Sequence, residues 1–169
     1  HNFYNHGAID VDGILSATLV NITAGEVVQG GSTITQQLTK NLFLSQEQTL
    51  IRKTEEALLS LVMEQHYSKD QLLEIYFNTT YFGAGATGIK SAALTYFDKL
   101  PQEMQLAECA IIAALPYAPS ALNPLENPEG CKKRQRLVLQ TMVKRGYIGT
   151  TLAEKTSAEP VFLANGATF

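Results

Sequence analysis

The stretch Gly30-Gly31-Ser32-Thr33-Ile34-Thr35-Gln36-Gln37-Leu38-Thr39-Lys40-Asn41 decides how this chain is read. The two glycines end whatever precedes them, and either Ser32 or Thr33 can cap a helix. Thr33 followed three residues later by Gln36 fits the reciprocal capping-box pattern, so the spacing predicts a helix running to about Leu42. The start of that helix joins exposed backbone N–H groups and hydroxyls to the positive end of the helix dipole, an arrangement that favours an anion. Along it, Gln36 and Lys40 lie four residues apart and Gln37 and Lys40 three, so amides and an ammonium share one face. Asn41 extends that polar edge.

The next block, Glu47 to His66, reads as an amphipathic helix. It sets Leu50, Thr54, Leu58, Leu61 and Val62 on one face and groups Arg52, Lys53 and Glu56 on another. Taken alone, Arg52 and Glu56 form an i, i+4 surface salt bridge worth roughly a few tenths of a kcal/mol. Together with Lys40 and Lys53 the pair acquires a different meaning, because three cations beside a helix N-terminus suit a dianionic group such as a pyrophosphate.

Composition limits the alternatives. A chain of 169 residues suits one compact domain. With 45% hydrophobic and 17% charged residues it is a folding sequence and not a disordered one. Thirteen Lys+Arg against 16 Asp+Glu give a net charge of −3, which supplies no global basic field for nucleic acid, so any anion site is local. Cys109 and Cys131 lack metal-ligand spacing and are too few for a disulfide scaffold, leaving a single bridge or two small buried side chains. No apolar run of roughly 18 residues marks a transmembrane helix, and no signal peptide is legible.

Elsewhere the pattern is predominantly helical, with no sustained period-2 alternation. Val11 to Ile22 forms an apolar-rich helix ending near Gly25, after which Glu26 to Gln29 leads into the glycine pair. Ser68 caps a helix over Lys69 to Asn78 with the stripe Leu72, Ile75 and Tyr76. The glycine-rich Tyr81 to Gly88 is not a nucleotide loop, because no strand precedes it and no Lys-Ser/Thr follows. Its glycines read as sites of close packing, before a small-residue helix over Ile89 to Phe97. Leu106 to Leu115 reads as the central core helix, and Pro116, Pro119, Pro124 and Pro128 as an extended connector. A basic helix over Cys131 to Arg145 follows; its Lys132, Lys133, Arg134 and Arg136 are either a phosphate site or a solvated face. Thr150 to Phe169 reads as a tail or linker with weak periodicity.

In this order the motifs resemble the peptidoglycan glycosyltransferases of family 51, found in class A penicillin-binding proteins and monofunctional transglycosylases. The resemblance spans about residues 1 to 148, with the domain drawn at 1 to 149. It rests on the Gly30 to Asn41 string, on Arg52-Lys53-x-x-Glu56, and on Lys69 to Gly88 as K-x-x-L-L-E-x-Y-x-N-x-x-Y-F-G-x-G-x-x-G. It rests also on Leu106-x-Glu108-x-Ala110 running through Pro116, Pro119 and Pro124. It implies a mainly α, lysozyme-like helical head with a smaller membrane-contacting jaw, here within residues 8 to 29. The implied activity is polymerisation of lipid II on the outer face of the bacterial cytoplasmic membrane. There the growing undecaprenyl-diphosphate strand is attacked by the 4-hydroxyl of the next lipid II, with inversion. Implied partners are lipid II, the glycan strand, the membrane surface and moenomycin-type inhibitors.

The family's first signature, E-D-x-x-F-x-x-H-x-G, is matched only in its second half, by Phe3 and His6 with Ala8 at the final glycine. The family's catalytic Glu falls two positions before His1. The chain as written is therefore expected to bind the diphosphate lipid without polymerising it, with His6 supporting the loop and not replacing the base. Gln48 stands where an arginine is usual, Thr87 where tyrosine is frequent and Asp98 where glycine is usual. An inverting transfer needs a carboxylate base on the acceptor, whereas a diphosphate leaving group needs charge neutralisation and little protonation. Glu56 is therefore assigned to orienting Arg52 and Lys53, or to holding a divalent ion, and not to general-acid duty. The substrate-binding set is Lys40, Arg52, Lys53, Gln37, Thr33, Ser32, Asn41, His6 and Phe3. No cofactor is required, and Mg²⁺ or Mn²⁺ at the diphosphate is compatible. Two rivals remain: a lysozyme-like glycan hydrolase, whose neutral leaving group has no use for three cations, and a non-catalytic lipid II binding module.

Overall fold

The structure is a computed structural model that describes residues 3–25, 30–45, 47 and 49–168. Glu26 to Gln29 and Gln48 lie outside the described residues. Among the described residues the fold is mainly helical, with two isolated bridges, Tyr81 with Thr87 and Phe162 with Thr168, in place of any strand. Length argued for one unit, but the chain divides into two compact ones, His1–Thr79 and Thr80–Phe169. No helix among the described residues is long and apolar enough to cross a membrane.

The first unit contains α1 (Val11–Ala24), α2 (Ile34–Phe43), α3 (Leu50–His66) and α4 (Lys69–Thr79). Asp10 caps α1 by accepting from Gly13 N, and Gly25 closes it in the left-handed region at φ 72°. Thr33 caps α2 with the predicted box complete: its hydroxyl accepts from Gln36 N and its own N–H donates to Gln36 Oε1. Ser68 and Gln71 cap α4 reciprocally. The core of this unit is Leu38 from α2, Met63 from α3 and Leu72 and Tyr76 from α4, with Phe3, Ile34, Ile75 and Phe77 packed around it.

The face of α3 that enters the unit is not the apolar one. Leu50 is 88% exposed and Leu58, Leu61 and Val62 are exposed as well, whereas Glu56, Ser60 and Met63 are buried. Hydroxyl pairing explains the inversion. Ser60 Oγ donates to Glu56 O at 2.6 Å and lies 3.1 Å from Thr39 Oγ1, while Thr39 Oγ1 donates to Thr35 O. Polar groups satisfied this way bury without the cost of lost hydration, so α2 and α3 meet along a seam of hydroxyls that hydrophobic periodicity does not register.

The second unit contains α5 (Ile89–Phe97), α6 (Leu106–Ala114), α7 (Pro128–Lys144) and α8 (Thr150–Ala158). The central helix α6 buries Ala107, Glu108, Ala110, Ile111, Ile112 and Ala114. Around Ala110, Leu139 and Ala153 the helices α6, α7 and α8 form one core. The proline-rich segment is not an extended connector. It folds into a 3-10 turn over Leu115–Tyr117 and further turns closed by Leu122 N to Ala118 O and Asn127 N to Asn123 O. Asn127 caps α7 and Pro128 occupies its first turn, where a missing N–H costs nothing, so the helix starts three residues earlier than Cys131. Both cysteines are free, Cys109 exposed and Cys131 buried, and burial pushes the Cys131 thiol up to about 12.

Two of the departures from the family pattern have local explanations. Asp98 ends α5 in the left-handed region (φ 53°, ψ 41°), a conformation that glycine adopts freely and Asp tolerates better than most residues. Thr87 is exposed, so little packing depends on it. Gly83 is the opposite case. At φ 91°, a Cβ there would lie 2.5 Å from Pro119 O and 2.8 Å from the Tyr96 hydroxyl, which donates to Phe82 O. We expect Gly83→Ala to destabilise the protein by about 2–4 kcal/mol through backbone strain and overpacking. A urea midpoint unchanged from that of the unmodified protein would show that the loop can give way.

Candidate functional site

The hydroxyl seam ends at a cleft of about 420 Å³ lined by Ser32, Gln37, Lys40, Thr49, Leu50, Arg52, Lys53 and Glu56. Residues from the end of the glycine turn, from α2 and from the first turns of α3 thus converge on one space. Thr49 makes this possible by capping α3, its hydroxyl accepting from Arg52 N at 3.1 Å. Thr49 was not singled out in the sequence, although a Thr just ahead of a helical run is a recognisable cap signal, and Leu50 was read only as part of an apolar face.

Glu56 is 2% exposed and sits beneath the cations. Its Oε2 accepts from Arg52 Nη1 at 2.7 Å, and its Oε1 accepts from Lys53 Nζ. The pair read from spacing as a surface salt bridge is therefore buried on the Glu56 side, with Arg52 only 12% exposed and Lys53 45% exposed. Lys53 Nζ also donates to Ser32 Oγ at 2.8 Å, tying α3 to the segment before α2. Lys40 lines the cleft with no ion pair among the described residues, and Arg52 Nε is buried with no hydrogen-bond partner. Three cations and one carboxylate leave the lining with a net charge of two positive.

Both Glu56 oxygens are occupied by cations, and no cluster of three His, Cys, Asp or Glu side chains forms a metal site among the described residues. The donor set does not fit an ion held by the protein, and the role in which Glu56 orients Arg52 and Lys53 is the one its contacts support.

The remaining predicted residues divide. Gln37 lines the cleft and accepts at Oε1 from the Tyr76 hydroxyl at 3.3 Å, which leaves its NH₂ to donate. Asn41 is exposed and does not line the cleft. Thr33 is buried with its polar groups engaged. Its N–H goes to Gln36 Oε1, its hydroxyl accepts from Gln36 N and donates to Ala8 O, so it shapes the site and offers no hydrogen bond to a ligand. Gly31 likewise has a steric role: a Cβ there would lie 3.0 Å from Ile14 Cα, so its lack of a side chain lets α1 approach the turn.

Phe3 and His6 line a neighbouring cavity of about 240 Å³, which also takes in Asp10, Gly30, Gly31, Ser32, Thr33 and Gln37. Ser32 and Gln37 belong to both spaces. His6 Nδ1 lies 2.6 Å from Gly7 O, and because a carbonyl only accepts, that nitrogen carries the proton. Asp10 and Gly13 were not foreseen here. Asp10 was visible only as the residue before an apolar helix.

A family model described as transglycosylase matches residues 1–143. The chain is 47% identical over 160 residues to penicillin-binding protein 1A of Aquifex aeolicus (strain VF5), a match covering 95% of this chain and 22% of that protein. To penicillin-binding protein 1A of Neisseria flavescens it is 49% identical over 156 residues, covering 92% of this chain and 19% of that protein. The crystal structure of penicillin-binding protein 1A from Haemophilus influenzae aligns with a TM-score of 0.51 and 30% identity, over 76% of this chain and 17% of that one. The chain belongs to the transglycosylase family, and its helical fold is that of the family's lysozyme-like domain. It spans about a fifth of the length of these curated relatives.

Proposed function

We propose that the full-length protein to which this chain belongs polymerises lipid II by inverting transfer from an undecaprenyl-diphosphate donor to the 4-hydroxyl of a second lipid II, whose proton passes to the carboxylate base that the resemblance puts ahead of His1, and that this chain supplies the cations that receive the diphosphate. The observation that carries this reading is the cleft in which Lys40, Arg52 and Lys53 surround the single carboxylate of Glu56. As the glycosidic bond to the diphosphate breaks, negative charge grows on the leaving oxygens, and preorganised cations stabilise it more in the transition state than in the ground state. Glu56 holds Arg52 in place for that task. The neighbouring cavity lined by Phe3 and His6 is adjacent through Ser32 and Gln37, which suits an acceptor sugar lying beside the donor diphosphate.

A glycan hydrolase expels a neutral sugar and gains nothing from a lining of net positive charge. We place the reaction at the outer face of the cytoplasmic membrane, where a lipid-linked substrate would lie, and the exposed apolar residues of α1, among them Val11, Leu15, Leu19 and Ile22, suit contact with that surface as a jaw. The test is polymerisation of labelled lipid II by the full-length protein, resolved on a gel. Glycan strands are expected. Binding of lipid II without product would favour the binding module, and release of glycan fragments from finished peptidoglycan would favour the hydrolase.

A further inference from the structure

Lys69 opens α4, where a cation is disfavoured by the positive end of the helix dipole. A local rule broken at one position calls for a compensating contact, and Lys69 has two. Its Nζ donates to Glu64 Oε1 at 2.7 Å and lies 4.7 Å from the centroid of the Phe3 ring. The same Glu64 oxygen accepts from Thr35 Oγ1 at 2.7 Å. Glu64 on α3 thereby joins α2 to the first turn of α4, and through Lys69 the assembly grips Phe3. Beside it the Tyr4 hydroxyl donates to Asp70 Oδ1 at 2.9 Å. At its other end the same short segment is fastened by Thr33 Oγ1 donating to Ala8 O at 2.8 Å.

Lys69 lines neither cavity, and its ammonium is committed to Glu64 and the Phe3 ring, so it is not a further anion ligand. The segment it holds, by contrast, supplies Phe3 and His6 to the cavity beside the cation cleft. From this geometry we propose that Lys69 is a positioning residue for glycosyl transfer: it seats the segment from Phe3 to Ala8 against the start of α2 and so sets one cavity wall relative to the cations. The proposal rests on the glycosyltransferase reading above. Small displacements of aligned groups are costly to turnover, with misplacement by about 1 Å worth up to about 10²-fold, whereas the cations that bind the diphosphate stand on α2 and α3 and are untouched by loss of Lys69.

The experiment compares Lys69→Met and Lys69→Arg in the full-length protein. Met keeps the length and a favourable contact with the Phe3 ring but removes the charge; Arg keeps the charge, the carboxylate pairing and the stacking. We expect Lys69→Met to lower kcat by about 10–100-fold while affinity for a moenomycin-type phosphoglycolipid stays within about twofold, and Lys69→Arg to recover most of the loss. Amide exchange should quicken in residues 3–8 of Lys69→Met alone, with α2 and α3 unchanged. Unchanged kcat in Lys69→Met would overturn the proposal. So would a parallel loss of inhibitor affinity or quickened exchange throughout α2 and α3, since either would mark a general structural role. If the unmodified protein makes no glycan at all, the glycosyltransferase reading itself fails, an outcome distinct from any difference between the variants.

Discussion

Glu56→Gln is expected to abolish glycan polymerisation by the full-length protein while leaving its affinity for a diphosphate-bearing lipid intact or slightly raised. The carboxylate is the single negative charge in the cleft, so the amide leaves the lining more positive, not less. What is lost is the hold on Arg52 Nη1 and Lys53 Nζ, and hence the alignment of the cations with the leaving oxygens. Spacing alone suggested an exposed pair whose loss would scarcely affect stability. Its 2% exposure changes that expectation, because removing one partner of a buried ion pair leaves the other uncompensated, at a cost of about 3 kcal/mol. Lys53 can turn to solvent, whereas Arg52 is nearly enclosed. Turnover on a gel, inhibitor binding and urea unfolding measure the three consequences separately. Near-normal product would remove Glu56 from the machinery, and an unchanged unfolding midpoint would show that Arg52 finds water when its partner is gone.

The parts of this protein governed by local rules were legible in the sequence. The capping box of Thr33 and Gln36, the closure of α1 at Gly25 and the bounds of α5 each depend on a few adjacent residues whose chemistry is specific. The grouping of Arg52, Lys53 and Glu56 was legible for a related reason, since all three sit at helical spacings on α3, whereas Lys40 joins them in one cleft only through the packing of α2 beside α3.

The burial of α3 was not legible, because periodicity weighs residues by hydrophobicity. The buried face here is made acceptable by Thr35, Thr39 and Ser60 satisfying one another across two helices, information that lies in pairs far apart in sequence. The same limit hid the contacts of Glu64 and Lys69, which depend on Thr35 and Phe3 being brought to them. Residues 150–158 showed only weak periodicity, and α8 forms there by packing Ala153 against Leu139 and Ala110. Thr33, which lines the cavity beside the cleft, is a different case. The residue type was right for a ligand site, but its capping role consumes the donors and acceptor that a ligand would need.

Lys40→Ala and Arg52→Ala should each weaken binding of a moenomycin-type or diphosphate lipid by roughly 1.5–3 kcal/mol, the usual worth of a charge-assisted hydrogen bond. That corresponds to about 10–150-fold in Kd. The two variants differ in what else they disturb. Lys40 has no ion pair among the described residues, so its removal should leave stability within about 0.5 kcal/mol of the unmodified protein and isolate the contribution to binding. Arg52→Ala also strips one partner from Glu56, so its unfolding midpoint should fall while Lys53 remains to pair with the carboxylate. The competing location is the basic stretch of α7. There Lys132 Nζ donates to Glu159 O at 3.3 Å, Arg136 Nε donates to Ser157 Oγ at 3.3 Å and the Arg134 guanidinium lies 3.8 Å from the Tyr117 ring centroid. Burial, reinforced by the nearby Arg136, also lowers the pKa of Lys132. Replacing Lys132, Lys133 and Arg136 together by Ala should therefore leave lipid affinity unchanged. A loss of affinity in that triple variant, alongside unchanged affinity in Lys40→Ala and Arg52→Ala, would move the anion site to α7 and remove the cleft from the mechanism.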